Sequence, residues 1–141
     1  MTRAAAWLAH SAAIAVGGTG LVYGWMRYVS EPDDEFALVN HPWEPDLRAL
    51  HIVTAPLLVF ACGLLWRAHV WGRIRAGFQS RRRTGILLAV LLAPMVASGY
   101  LLQVSTADVW RATWMWTHGV AGAMWALVYV AHQLTRRAEP A

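Results

Sequence analysis

Two histidines, His118 and His132, lie fourteen positions apart in WRATWMWTHGVAGAMWALVYVAHQ, a stretch with no charged residue from Ala112 to Thr135. On an α-helix that spacing is a rise of about 21 Å with a return to within about 40° of the same face. An uncharged run of this length suits a membrane-spanning helix. Its two imidazoles would stand near the two edges of the hydrocarbon layer and point to one side. Ionisable groups at such depths are costly, and their default reading is functional. Three more histidines fall in apolar runs: His10 in the first, and His51 and His69 near the start and end of the second. Structural zinc sites want four close nitrogen or sulfur ligands. Here the imidazoles divide between two levels, with no Cys or carboxylate beside them. Two neutral imidazoles on opposite faces of an iron suit haem, and two levels suit two stacked haems. Filled axial positions leave the iron to change charge without binding substrate, so electron transfer is the expected task. Gly119 and Gly122 beside His118 offer flat space for a macrocycle. The competing reading is that such residues are hydrogen-bonded or wetted interfacial histidines.

The elements that must position these groups follow from the runs between charges. Four helices are expected, at about 4–26, 49–71, 84–104 and 112–134. The first run resembles a secretory signal at its start, but it continues through Tyr23 and Trp25 and contains His10, so it reads as a retained helix. Its Gly17, Gly18, Gly20 and Gly24 let a neighbouring helix or a flat ring approach closely. Residues 27–48 hold six acids, two arginines and Pro32, Pro42 and Pro45, which reads as a polar loop. The second run spans if Arg67 snorkels, and Pro56 is a candidate kink. His51 and His69, eighteen apart, would share a face but stand about 27 Å apart along an unbroken α-helix.

Residues 72–83, GRIRAGFQSRRR, hold five arginines and no acid. Cytoplasmic loops collect basic residues. Arg3 and the basic tail fall on the same side, so both termini are expected in the cytoplasm. His51 and His118 then lie toward the outer face, His10, His69 and His132 toward the inner one, and His41 in the outer loop.

Composition agrees with this class. Of 141 residues 57% are hydrophobic, too apolar for an ordinary soluble domain, and the length suits one domain, 1–141. The net charge of +4 comes entirely from arginines against acids in short inter-run segments, a membrane topology pattern rather than a nucleic-acid surface. Nine tryptophans, most near run ends, suit interfacial belts. The single Cys62 leaves no disulfide and no CxxCH for covalent haem attachment.

The pattern is similar to the di-haem cytochrome b subunits of formate dehydrogenase-N and nickel–iron hydrogenase. The resemblance rests on His10 in RAAAWLAHSAAIAVGGTG, His51 in RALHIVTAP, and His118 and His132 in THGVAGAMWALVYVAHQ. The run RRRTGILLAVLLAPMVASGYLL also looks like that family's third helix with its Ser-Gly pair. The likeness covers nearly the whole four-helix core. It implies an all-α integral membrane bundle of four transmembrane helices holding two non-covalent haem b. It further implies His51 and His118 on the outer iron, His10 and His132 on the inner, and a quinone beside the inner haem. His69 is additional to the family pattern. It is either an alternative inner ligand or a quinone-site residue, with Arg67 and Arg73 nearby in sequence. NHPWEPD also lies outside the pattern.

The expectation is therefore a bacterial inner-membrane protein, the electron-transfer part of an oxidoreductase, exchanging electrons between the quinone pool and a redox partner subunit. Two alternatives stand beside it: a superoxide:quinone oxidoreductase of the same fold acting alone, and a haem-free structural membrane protein. Nucleic acid is not an expected partner. The acids Glu31, Asp33, Asp34, Glu35, Glu44 and Asp46 offer a negative outer surface to a basic partner.

Overall fold

The structure, a computed structural model, describes residues 2–32, 34, 36–77 and 81–135. Every regular element among them is helical: α1 (Arg3–Tyr28), α2 (Glu44–Leu65), a π-helical turn (Trp66–Trp71), α3 (Gly72–Arg75), α4 (Arg82–Val104) and α5 (Asp108–Leu134). By length and composition α1, α2 and α4 can cross a membrane. At 27 residues α5 is the longest of the described helices, and with its tryptophans, threonines and histidines it is not among those three. It is also the most amphipathic of the four long helices, with one side more polar than the other.

Contacts divide the chain into two compact units, Met1–Trp66 and Arg67–Ala141. In the first, α1 packs antiparallel on α2; in the second, α4 packs antiparallel on α5. Small residues line the first contact, with Ala12, Ala13 and Val16 of α1 and Ala61 of α2 all buried. Small side chains let the backbones approach, which drives helix association where lipid tails remove the hydrophobic incentive. In the second unit Ser98, Ala121 and Trp125 are buried.

The helix ends obey local chemistry. Thr2 caps α1, its hydroxyl accepting from the Ala5 amide at 3.2 Å. Pro45 enters the first turn of α2, where its missing N–H costs nothing, and Glu44 and Asp46 sit at the positive end of the helix dipole. The second helix thus begins five residues before the expected 49. Glu44, expected on the loop surface, is instead buried. Its carboxylate accepts from the Arg27 guanidinium at 3.4 Å and from the Asn40 amide at 3.2 Å. Asn40 also donates to the Arg27 carbonyl at 2.9 Å, so the segment from α1 to α2 is clasped at both ends. Asp33 and Glu35, also expected on that surface, lie outside the described residues, as does most of the basic tail.

The second helix does not run unbroken to Trp71. The π-helical turn places the i→i+5 pattern at Trp66–Trp71, so a count of eighteen α-helical residues from His51 to His69 does not hold. The chain then turns after α3 at Gly77, whose φ of +66° suits glycine.

Candidate haem-ligand site

Three histidines are held by one repeated local arrangement. On α1, the Val16 carbonyl lies 3.0 Å from Nδ1 of His51. Three residues on, the Thr19 hydroxyl bonds to the same carbonyl at 3.1 Å and approaches the same Nδ1 at 3.3 Å. One residue further is Gly20, where a Cβ would stand 2.8 Å from the His51 ring. On α4 the Met95 carbonyl lies 2.9 Å from Nδ1 of His118. The Ser98 hydroxyl bonds to Met95 at 3.1 Å and to Pro94 at 2.5 Å. A Cβ on Gly99 would stand 3.1 Å from the His118 ring. A third instance opens α4. The Thr84 hydroxyl bonds to the Arg81 carbonyl at 3.1 Å and lies 2.8 Å from Nδ1 of His132, and a Cβ on Gly85 would be 3.6 Å from that ring.

Each arrangement is a helix turn whose i carbonyl and i+3 hydroxyl share a hydrogen bond and whose i+4 glycine lets an imidazole lie against the backbone. Thr19-Gly20, Thr84-Gly85 and Ser98-Gly99 are the only three Ser-Gly or Thr-Gly steps in the sequence, and each receives a histidine. Thr84 and Ser98 are fourteen apart on α4, as His118 and His132 are on antiparallel α5. Sequence reasoning noticed the Ser-Gly pair but missed its partners; matching that second fourteen-residue interval to the first was the available signal.

The chemistry of these contacts bears on ligation. A carbonyl only accepts, so Nδ1 of His51 and of His118 carries a proton and donates it in the hydrogen bond. An imidazole that donates from one nitrogen and coordinates from the other is the usual metal-ligand state, its tautomer, orientation and basicity set by that outer bond. Other glycines of the two units face open space. A Cβ on Gly17, Gly18 or Gly24 in the first unit, or on Gly119 or Gly122 in the second, would meet nothing within 4 Å. Donor set and glycine-lined space both fit haem. No group of three or more His, Cys, Asp or Glu side chains suited to a metal ion occurs among the described residues.

The remaining expected residues take different places. His10 is half-buried on α1 and His69 half-buried in the π-helical turn. Arg67 is exposed in that turn and Arg73 half-buried on α3. His69, Arg73 and Arg81 are close enough to His132 for their charges to act on it. Thus His132 and His69, both expected toward the inner face, do share one end of the second unit. His41 belongs to the loop. Its Nδ1 accepts from the Trp43 amide at 3.2 Å, and its ring packs 6.4 Å from both Trp25 and Trp43.

Arg81 completes the setting of His132. Its guanidinium donates to the Thr135 carbonyl at 2.7 Å and the Gln133 carbonyl at 3.0 Å, satisfying the end of α5 where the dipole favours a cation. A cleft of about 520 Å³ opens here, lined by Arg81, Arg82, Arg83, Thr84, Ile86 and Thr135. Its arginines suit carboxylate or phosphate groups.

No protein-family model, curated protein or solved structure matches this chain.

Proposed function

We propose that this chain is a transmembrane di-haem b-type cytochrome that passes electrons between the quinone pool and a redox partner protein in a bacterial inner membrane. The observation that carries the reading is the repeated hydroxyl–glycine arrangement. It holds His51 and His118 by Nδ1 to main-chain carbonyls, the outer bond that orients a ligating histidine. In this reading α1, α2, α4 and α5 form a four-helix bundle with both termini cytoplasmic. His51 and His118 hold the outer haem, and His10 and His132 the inner one. When bound, such a group supplies a one-electron iron couple, its potential set by axial ligands and their hydrogen bonds.

The protein's own contributions are orientation and access. The glycines bring the rings against the helix backbone, and the carbonyls and hydroxyls fix which nitrogen bears the proton. The exposed apolar faces of α1, α2 and α4 suit lipid. A lipophilic quinone reaches the inner end from the membrane, where His69, Arg67 and Arg73 offer hydrogen-bond donors to its carbonyls. The chain is then the wire of an oxidoreductase rather than its substrate site.

The deciding measurement is a reduced-minus-oxidised spectrum with haem quantified per chain. Two acid-acetone-extractable haem b per chain are expected; a colourless protein ends the proposal. Rapid mixing with a quinol analogue then tests the quinone assignment, with reduction of both haems expected and a quinone-site inhibitor blocking it.

A further inference from the structure

The three imidazoles are not held alike. His51 and His118 each have a carbonyl oxygen, which cannot donate, as the nearer partner of Nδ1, the Thr19 hydroxyl standing farther from His51 at 3.3 Å. His132 faces the Thr84 hydroxyl at 2.8 Å, which can donate or accept. Its direction is set by its other contact. At 3.1 Å from the Arg81 carbonyl, the hydroxyl has an acceptor for its only proton, and its lone pairs are left to face the imidazole. Arg81 is anchored by its bonds to Gln133 and Thr135, one and three residues beyond His132. The carbonyl that takes the hydroxyl proton therefore belongs to a residue tied to the helix carrying the histidine.

We propose that Thr84 is a positioning residue for His132. Its hydroxyl accepts a hydrogen bond from Nδ1–H, which would orient Nε2 for a haem iron and raise the ligand's basicity in place of the carbonyl that serves His51 and His118. The proposal rests on the reading of His132 as a haem ligand. A more basic ligand stabilises the ferric over the ferrous state, so loss of this bond raises the potential of the haem held by His132. Thr84→Val keeps the shape and removes the acceptor. Thr84→Ser restores it.

The test uses the full-length chain in lipid nanodiscs, with haem content of the unmutated protein measured first. Redox titration of the haem-loaded Thr84→Val protein should show one haem shifted to higher potential, or selectively lost, and the other unmoved, with Thr84→Ser returning the wild-type titration. Two haems with unchanged potentials in Thr84→Val, or equal shifts of both, overturn the role of Thr84 while leaving the cytochrome reading intact. If the unmutated chain binds no haem, the cytochrome reading falls and the ligand-tuning role with it, and ¹⁵N shifts of the His132 ring separately decide whether Thr84 fixes its tautomer. An Nδ1–H tautomer that is lost in Thr84→Val supports it, and an Nε2–H tautomer in the unmutated chain overturns it.

Discussion

At the scale of single residues, the helical glycines separate into those that meet an imidazole and those that do not. Gly20 has the His51 ring where a Cβ would go, at 2.8 Å, while Gly63 has nothing within 4 Å. Overpacking a formed contact costs about 1–3 kcal/mol. Gly→Ala at an open helical site instead gains up to about 1 kcal/mol from propensity. Gly20→Ala should therefore lower thermal stability in detergent and deplete the haem held by His51, and Gly63→Ala should do neither. Equal behaviour of the two variants would mean that the ring is not held against the helix. The ligands make a sharper set. His118→Ala should deplete one haem and His132→Ala the other, each leaving much of its counterpart, as read by haem quantification. His10→Ala should lose the same haem as His132→Ala, and His69→Ala should keep it while slowing reaction with quinol. The reverse result would move the inner ligand from α1 to the π-helical turn.

At the scale of elements, two clasps hold helix ends and should respond differently. Arg27 is 45% exposed in its pair with Glu44, so solvent screens the attraction and Arg27→Ala should cost no more than about 1 kcal/mol. Glu44→Ala also strands the Asn40 amide, and such a lost bond costs about 1–3 kcal/mol. Limited proteolysis of the segment between α1 and α2 should accordingly be faster in Glu44→Ala than in Arg27→Ala. The second clasp is Arg81, a non-glycine residue at φ 58° whose side chain caps α5. Arg81→Gly relieves a backbone penalty of roughly 1–2 kcal/mol and gives up two hydrogen bonds worth about as much. Global stability should change little, whereas amide-exchange protection should fall at 131–135 and hold at 118–125. Unchanged protection at 131–135 would show that the Arg81 side chain does not secure the end of α5.

At the scale of the whole molecule, orientation in the membrane rests on arginine placement. Five arginines and no acid lie in 72–83, against four more acids than arginines in 27–48. Reporters fused after Gln79, which lies outside the described residues, or at the C-terminus should report cytoplasm, and one inserted near Asp34 the outside. An outside report from the 72–83 segment would exchange the inner and outer assignments of every histidine while leaving the ligands themselves unchanged.

Helix class and approximate extent were legible in the sequence because they follow from local quantities. Charge-free length marked α1, α2 and α4, and the fourteen-residue histidine interval placed two imidazoles on one side of α5. The early start of α2 was hidden because prolines in 27–48 read as breakers, although Pro45 in a first turn begins a helix. The burial of Glu44 was hidden because it depends on Arg27 and Asn40, seventeen and four residues away, folding onto it. The π-helical turn left no mark in WRAHVW that periodicity could detect. The hydroxyl–glycine steps were visible as residues but not as holders of histidines, since a hydrogen bond such as Met95 to His118 exists only once two helices pack in register. What the sequence determined by itself is which segments are helical and which residues could ligate. What the tertiary structure decided is the protonated nitrogen of His51 and His118, because a tautomer is set by the atom opposite it, and that atom lies on another helix.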